Sequence, residues 1–135
     1  MAEALTLRTT SLSVADAVDA AREELGRLGI RLFAVIDHAA AARDAGLELP
    51  DEQVLIFGNP AVGTALMQAD ARVGLELPLR LLVFDDHGTT TLAYRDPHQL
   101  DGPYELADQQ ATLAKLSAAL QRIVADVPDQ GTIRT

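Results

Sequence analysis

At 135 residues, with 48% apolar and 23% charged residues, the chain is long enough for one domain with a core of its own. The absence of cysteine excludes disulfides, thiolate zinc sites and cysteine nucleophiles together. A net charge of −9, with Lys115 the only lysine and ten arginines scattered among acids, argues against nucleic acid and anionic membranes as partners, because both reward clustered cations.

Leu5-Thr6-Leu7-Arg8 alternates with period two and predicts a first strand. Ser13 offers an N-cap, Asp16 completes an approximate capping box, and Val14, Val18, Ala21, Leu25 and Leu28 follow at helical spacing. Gly29 supplies the stop. Residues 30–36, β-branched and apolar, predict a second strand that ends at Asp37. Residues 39–45 predict a short helix, capped by Asp37 and ended by Gly46. Residues 53–57 are apolar on both faces and predict an internal third strand. Asn59 and Pro60 match the cap and first position of a helix running to about Asp70. Residues 79–84 and 89–94 predict a hairpin turning at Asp85-Asp86-His87-Gly88. After a loop over residues 95–103, a helix from about 107 to 125 carries the stripe Leu113, Leu116, Leu120, Ile123 and Val127.

The order β-α-β-α-β-α-β-β-α predicts a single α+β domain over residues 1–127, with helices covering one face of a curved sheet. A frayed tail is expected over residues 128–135. Met1-Ala2-Glu3-Ala4 shows no secretory signal, and the apolar runs fall short of the roughly 20 residues that cross a bilayer, so a cytoplasmic location is expected.

Candidate functional residues cluster between Ile36 and Pro78. Asp37 and His38 leave a strand as neighbours and point to opposite sides, so they do not pair with each other. Asp37 reads as a structural cap. His38 falls in the first helical turn, where the helix dipole disfavours the imidazolium and leaves a neutral ring suited to a ligand or base role. Gly58-Asn59-Pro60-Ala61-Val62-Gly63-Thr64 has the glycine spacing of a phosphate-binding loop. Thr64 stands at the lysine position, Ala65 at the hydroxyl position, and Pro60 removes an amide, which argues against nucleotide hydrolysis. Turn geometry accounts for the glycines and capping for Asn59, while anion binding at the helix N-terminus stays open. Met67, at helical spacing from Gly63 and Thr64, reads as core or as a wall of the same pocket. His87 and His98, with Asp85, Asp86, Asp96 and Asp101, lack the spacing of a zinc site, and no metal is assigned to them.

Taken together, Ile36-Asp37-His38, Gly46-Leu47, Phe57-Gly58-Asn59-Pro60, Gly63-Thr64, Met67, Gly74 and Leu77-Pro78-Leu79 resemble the signature of the domain of unknown function 302 family, over roughly residues 5–127. The resemblance implies a TBP-like α+β fold, a curved, mainly antiparallel sheet with helices packed on it, and a homodimer. Surplus apolar surface in so small a domain points to a homodimer as well. The resemblance implies no reaction and no cofactor, and the fold name imports no DNA binding, because function belongs to sites.

The functional expectation is a small organic ligand held in a pocket lined by His38, Phe57, Asn59, Thr64 and Met67. His38 is expected beside Asn59, because two strand-to-helix junctions on neighbouring strands would bring their helix N-termini together and favour a carboxylate. Haem on His38 is one special case; the cofactor is otherwise unknown. The alternatives are an enzyme using His38 as general base and a non-catalytic dimeric interaction domain.

Overall fold

The computed structural model describes residues 5–128, so the expectations for residues 1–4 and for the tail beyond 128 lie outside the described residues. Five strands form one sheet: β1 (Thr6–Thr10), β2 (Arg31–Asp37), β3 (Glu52–Gly58), β4 (Leu79–Asp86) and β5 (Thr89–Tyr94). The helices are α1 (Val14–Leu28), α2 (His38–Asp44), α3 (Pro60–Ala69) and α4 (Gln110–Ala125). The spatial order is β1-β5-β4-β3-β2, and every neighbouring pair is antiparallel. β3 is internal, as its two apolar faces require.

Local chemistry sets most boundaries. Ser13 Oγ accepts from the Asp16 amide at 3.0 Å, and Gly29, at φ 69°, closes α1 in a left-handed conformation. The β4–β5 link has two central residues, His87 and Gly88, both at positive φ (53° and 96°), which matches the twist of a tight hairpin. Helix α4 begins after a 3-10 turn at Ala107–Gln109. A further 3-10 turn, Ala71–Glu76, lies between α3 and β4, where no element is predicted.

The core lies between one sheet face and the helices. Val14, Ala17, Val18, Ala21 and Leu25 of α1 and Leu113, Leu116, Leu120 and Ile123 of α4 join Leu55, Phe57, Leu81, Val83 and Leu92 in one buried cluster. Alternation along the strands sends Val54, Ile56, Leu82 and Phe84 to the opposite face. There the register lines up Leu7, Ala93, Leu82, Val54 and Ile36, an apolar row crossing all five strands. Its two ends are open to solvent, with Leu7 60% and Ile36 43% exposed.

Two polar ties hold helices in place. Glu24 on α1 is 2% exposed and accepts from Arg27 Nε at 2.8 Å, with Arg122 Nε of α4 at 3.7 Å. Asp70 ends α3 and accepts from the amide of Arg72 (3.0 Å), its guanidinium (3.0 and 2.8 Å) and the amide of Glu105 (2.9 Å). The hydrogen bonds from Arg72, then that from Glu105, hold the Asp70 carboxyl far below the usual carboxylate range. Among the described residues, no helix is long and apolar enough to cross a membrane.

Candidate functional site

The antiparallel register separates residues that the sequence places close together. Along the β2–β3 pair, Arg31 faces Gly58 and Asp37 faces Gln53. The junctions β2-to-α2 and β3-to-α3 therefore lie at opposite ends of the sheet, about 20 Å apart at roughly 3.4 Å per residue. His38 is not beside Asn59; that juxtaposition requires neighbouring strands running in parallel. Asp37 caps α2, accepting from the Ala40 amide at 2.8 Å. His38 is exposed as the first residue of α2 and forms no wall of the Asn59 pocket. The haem and general-base readings therefore draw no support from this cavity.

Phe57 does not line the cavity that Thr64 and Met67 share, but lines an adjoining one with Gly58 and Asn59. It points to the helix-covered face, is fully buried and belongs to the core. Asn59, Thr64 and Met67, by contrast, do come together. With Phe33, Gly58, Gly63, Gly74, Leu77 and Pro78 they surround a cavity of about 230 Å³. Strand β3 delivers Gly58 and Asn59, and α3 carries Gly63, Thr64 and Met67 along one wall. The Ala71–Glu76 turn brings Gly74 back under Met67, and a cis Leu77–Pro78 peptide leads into β4. Phe33 sits at the irregularity between Leu32 and Ala34 in β2, with the Arg31 guanidinium 5.0 Å from its ring centre. Phe33 has no site signal in the sequence beyond being one of three phenylalanines.

Three glycines decide the shape of this cavity. None of Gly58, Gly63 and Gly74 is among the glycines at positive φ, so the turn-geometry explanation fails for them. Their missing side chains serve space instead. A Cβ on Gly58 would stand 3.7 Å from Pro78 Cβ and 3.9 Å from Phe33 Cε2. On Gly63 it would meet Leu77 Cδ1 at 3.6 Å, and on Gly74 the Met67 sulfur at 3.3 Å. Gly63 stands inside α3, where glycine weakens a helix by roughly 1 kcal/mol relative to alanine.

The polar groups at the rim are largely engaged. Pro60 has no amide hydrogen, Asn59 Oδ1 accepts from the Ala61 amide at 3.0 Å, and the Val62 and Gly63 amides donate to the Asn59 carbonyl at 3.0 and 2.9 Å. The first turn of α3 therefore has no amide left for an anion, and the expected carboxylate site at that helix end is absent. Thr64 Oγ1 donates to the Pro60 carbonyl at 2.6 Å, which leaves its lone pairs as acceptors and the Asn59 side-chain NH2 as a donor. At the other end of the molecule, His87 Nδ1 lies 2.8 Å from Asp86 Oδ1 in the exposed turn. Among the described residues, no three His, Asp or Glu side chains gather as a metal site requires.

Residues 5–123 match the family Domain of unknown function DUF302, and the chain belongs to it. Its fold is that of a crystal structure of an uncharacterized conserved DUF302 protein from Bacillus stearothermophilus, with a TM-score of 0.79 at 19% identity, covering 92% of this chain and 98% of that one. Over 86 residues the chain is 41% identical to the fluoride-specific ion channel FluC 1 of Brucella suis, covering 63% of this chain and 34% of that protein. The FluC 2 of Brucella melitensis matches at the same identity over 32% of its length. The chain thus spans about a third of the length of the curated relatives it matches.

Proposed function

We propose that this is a cytoplasmic, homodimeric domain that binds a small, mainly apolar organic molecule in the cavity between Gly58 and Pro78. The observation that carries the reading is the set of three glycines with ordinary backbone angles around one cavity. Retaining Gly63 inside a helix costs stability, and the space it leaves lies beside Met67 and Leu77. An apolar cavity of about 150 Å³ accommodates benzene, so about 230 Å³ suits one ring or a short chain with substituents. The Asn59 amide supplies one directional donor for a carbonyl, ether or hydroxyl oxygen.

The test is a thermal-shift screen of small neutral molecules against the full chain, followed by variants. A ligand at 100 times its dissociation constant adds about 2.7 kcal/mol. Gly63→Leu should remove that shift and His38→Ala should keep it. A shift that survives Gly63→Leu but disappears in His38→Ala would overturn the reading and restore the histidine site. Fluoride conduction belongs to the names of the longer relatives and forms no part of this proposal.

The dimer is supported by the apolar row from Leu7 to Ile36 on the face opposite the core. A row of this kind is covered most simply by a second copy of the same face. Light scattering should give twice the 14.4 kDa chain mass at micromolar concentration, and Leu7→Glu should shift it towards the monomer. A wild-type monomer at that concentration would sink the proposal.

A further inference from the structure

A second cavity adjoins the first. It measures about 340 Å³ and shares Gly58, Asn59, Leu79 and Leu116 with the glycine-lined pocket. Beyond those four residues its walls are the apolar side chains of Leu28, Ile30, Phe57 and Val62, together with Lys115 and Arg122. Lying side by side at the Gly58–Asn59 corner, the two would make a bent apolar trough for one ligand, with Lys115 and Arg122 lining its second half.

Lys115 is the chain's only lysine. In a protein of net charge −9 it has abundant carboxylates to choose from, yet among the described residues it takes part in no ion pair. Arg122 is partly committed, at 3.7 Å from Glu24 and 3.6 Å from Asp126. Adjoining apolar cavities with an ammonium that is unpaired among the described residues on their lining have the recognition chemistry of an amphiphile with an anionic head.

We infer that the ligand is a medium-chain monocarboxylate, with its apolar tail in the glycine-lined cavity and its carboxylate at Lys115. This rests on the proposed pocket and adds to it the class of ligand and the residue that reads the head group. The anion is met by a side chain at the second cavity, and the amides of α3 take no part.

Titrating the full chain with octanoate and with 1-octanol tests the head group and the tail separately. Octanoate should bind about three- to fivefold more tightly than 1-octanol at pH 7 in low salt, the gain expected of an exposed ion pair. In Lys115→Met, a substitution that keeps an unbranched side chain, that ratio should fall to about one. It should also fall in wild type as salt rises, which a purely structural role for Lys115 would not produce. If both compounds bind wild type equally, the head-group inference is overturned while the apolar pocket stands. If neither binds, both are overturned. If octanoate binding depends on Lys115 yet is untouched by Gly63→Leu, the trough is wrong and the tail lies elsewhere.

Discussion

Replacing Gly63 by alanine should make this protein more stable. The position lies in the interior of α3 at an ordinary backbone angle, so alanine gains about 1 kcal/mol of helix propensity over glycine. The added methyl meets Leu77 Cδ1 at 3.6 Å and Met67 Cε at 4.0 Å, both ordinary contacts, so no steric term of comparable size opposes the gain. For a domain of this length, 1 kcal/mol raises the melting temperature by roughly 3–5 °C. Gly29→Ala is the matched control. Gly29 is at φ 69°, where a Cβ costs about 1–2 kcal/mol, so the same substitution should destabilise. Urea melts of the three proteins, read by circular dichroism, compare the signs directly. A Gly63→Ala midpoint below wild type would refute the claim that this glycine is kept for space and not for backbone conformation. Stabilisation without any loss of ligand affinity would refute its role in binding.

Asp37→Ala should cost about 1 kcal/mol in a urea melt as a lost N-cap, whereas His38→Ala, one residue on and exposed, should leave both stability and ligand binding unchanged. Leu81→Ala, at a fully buried position of a central strand, should cost about 2–5 kcal/mol, and a loss below 1 kcal/mol would mean that the core closes over the gap. Because the folded-state pKa of Asp70 is depressed below its ordinary 3.8, its contribution is fully present above that pH and is lost as the pH falls through the folded value. Denaturant midpoints measured between pH 5 and pH 2.5 should therefore fall more steeply in wild type than in Asp70→Asn, and parallel curves would exclude Asp70 as the source.

Features decided by short-range chemistry were legible in the sequence. Ser13, Asp37 and Asn59 act as caps, Gly29 and the His87-Gly88 link turn the chain, and β3 is internal, each within a few residues of where pattern and propensity put it. Nothing within β2 or β3 records which end of one meets which end of the other; the antiparallel sheet was expected from the family resemblance alone, and the structure has it. Placing His38 beside Asn59 needed neighbouring strands to run parallel, against that expectation, and so misplaced the histidine. Phe57 was expected in the same cavity as Thr64 and Met67, but alternation turns it into the core and onto the adjoining cavity, and only the packed helices reveal which side is the interior. The 3-10 turn at Ala71–Glu76 escaped because its anchor, Asp70, draws on Glu105, 35 residues away. Gly58, Gly63 and Gly74 stand out in the sequence, but separating a glycine needed for its backbone angle from one needed for its emptiness requires the dihedral angles.

The placement of the two strand-to-helix junctions at opposite ends of the sheet makes them energetically separate units. Residues more than about 10 Å apart with no shared partners contribute additively, within about 0.5 kcal/mol. The Asp37→Ala/Gly63→Ala double variant should therefore come close to the arithmetic sum of its parts. Drift at the α2 end then needs no compensation around the glycine-lined cavity, and mutations that reshape the cavity leave α2 indifferent. A lineage of such domains could change what the trough accepts while keeping Asp37 and His38 intact, or could recruit that exposed histidine to a second task without disturbing the first.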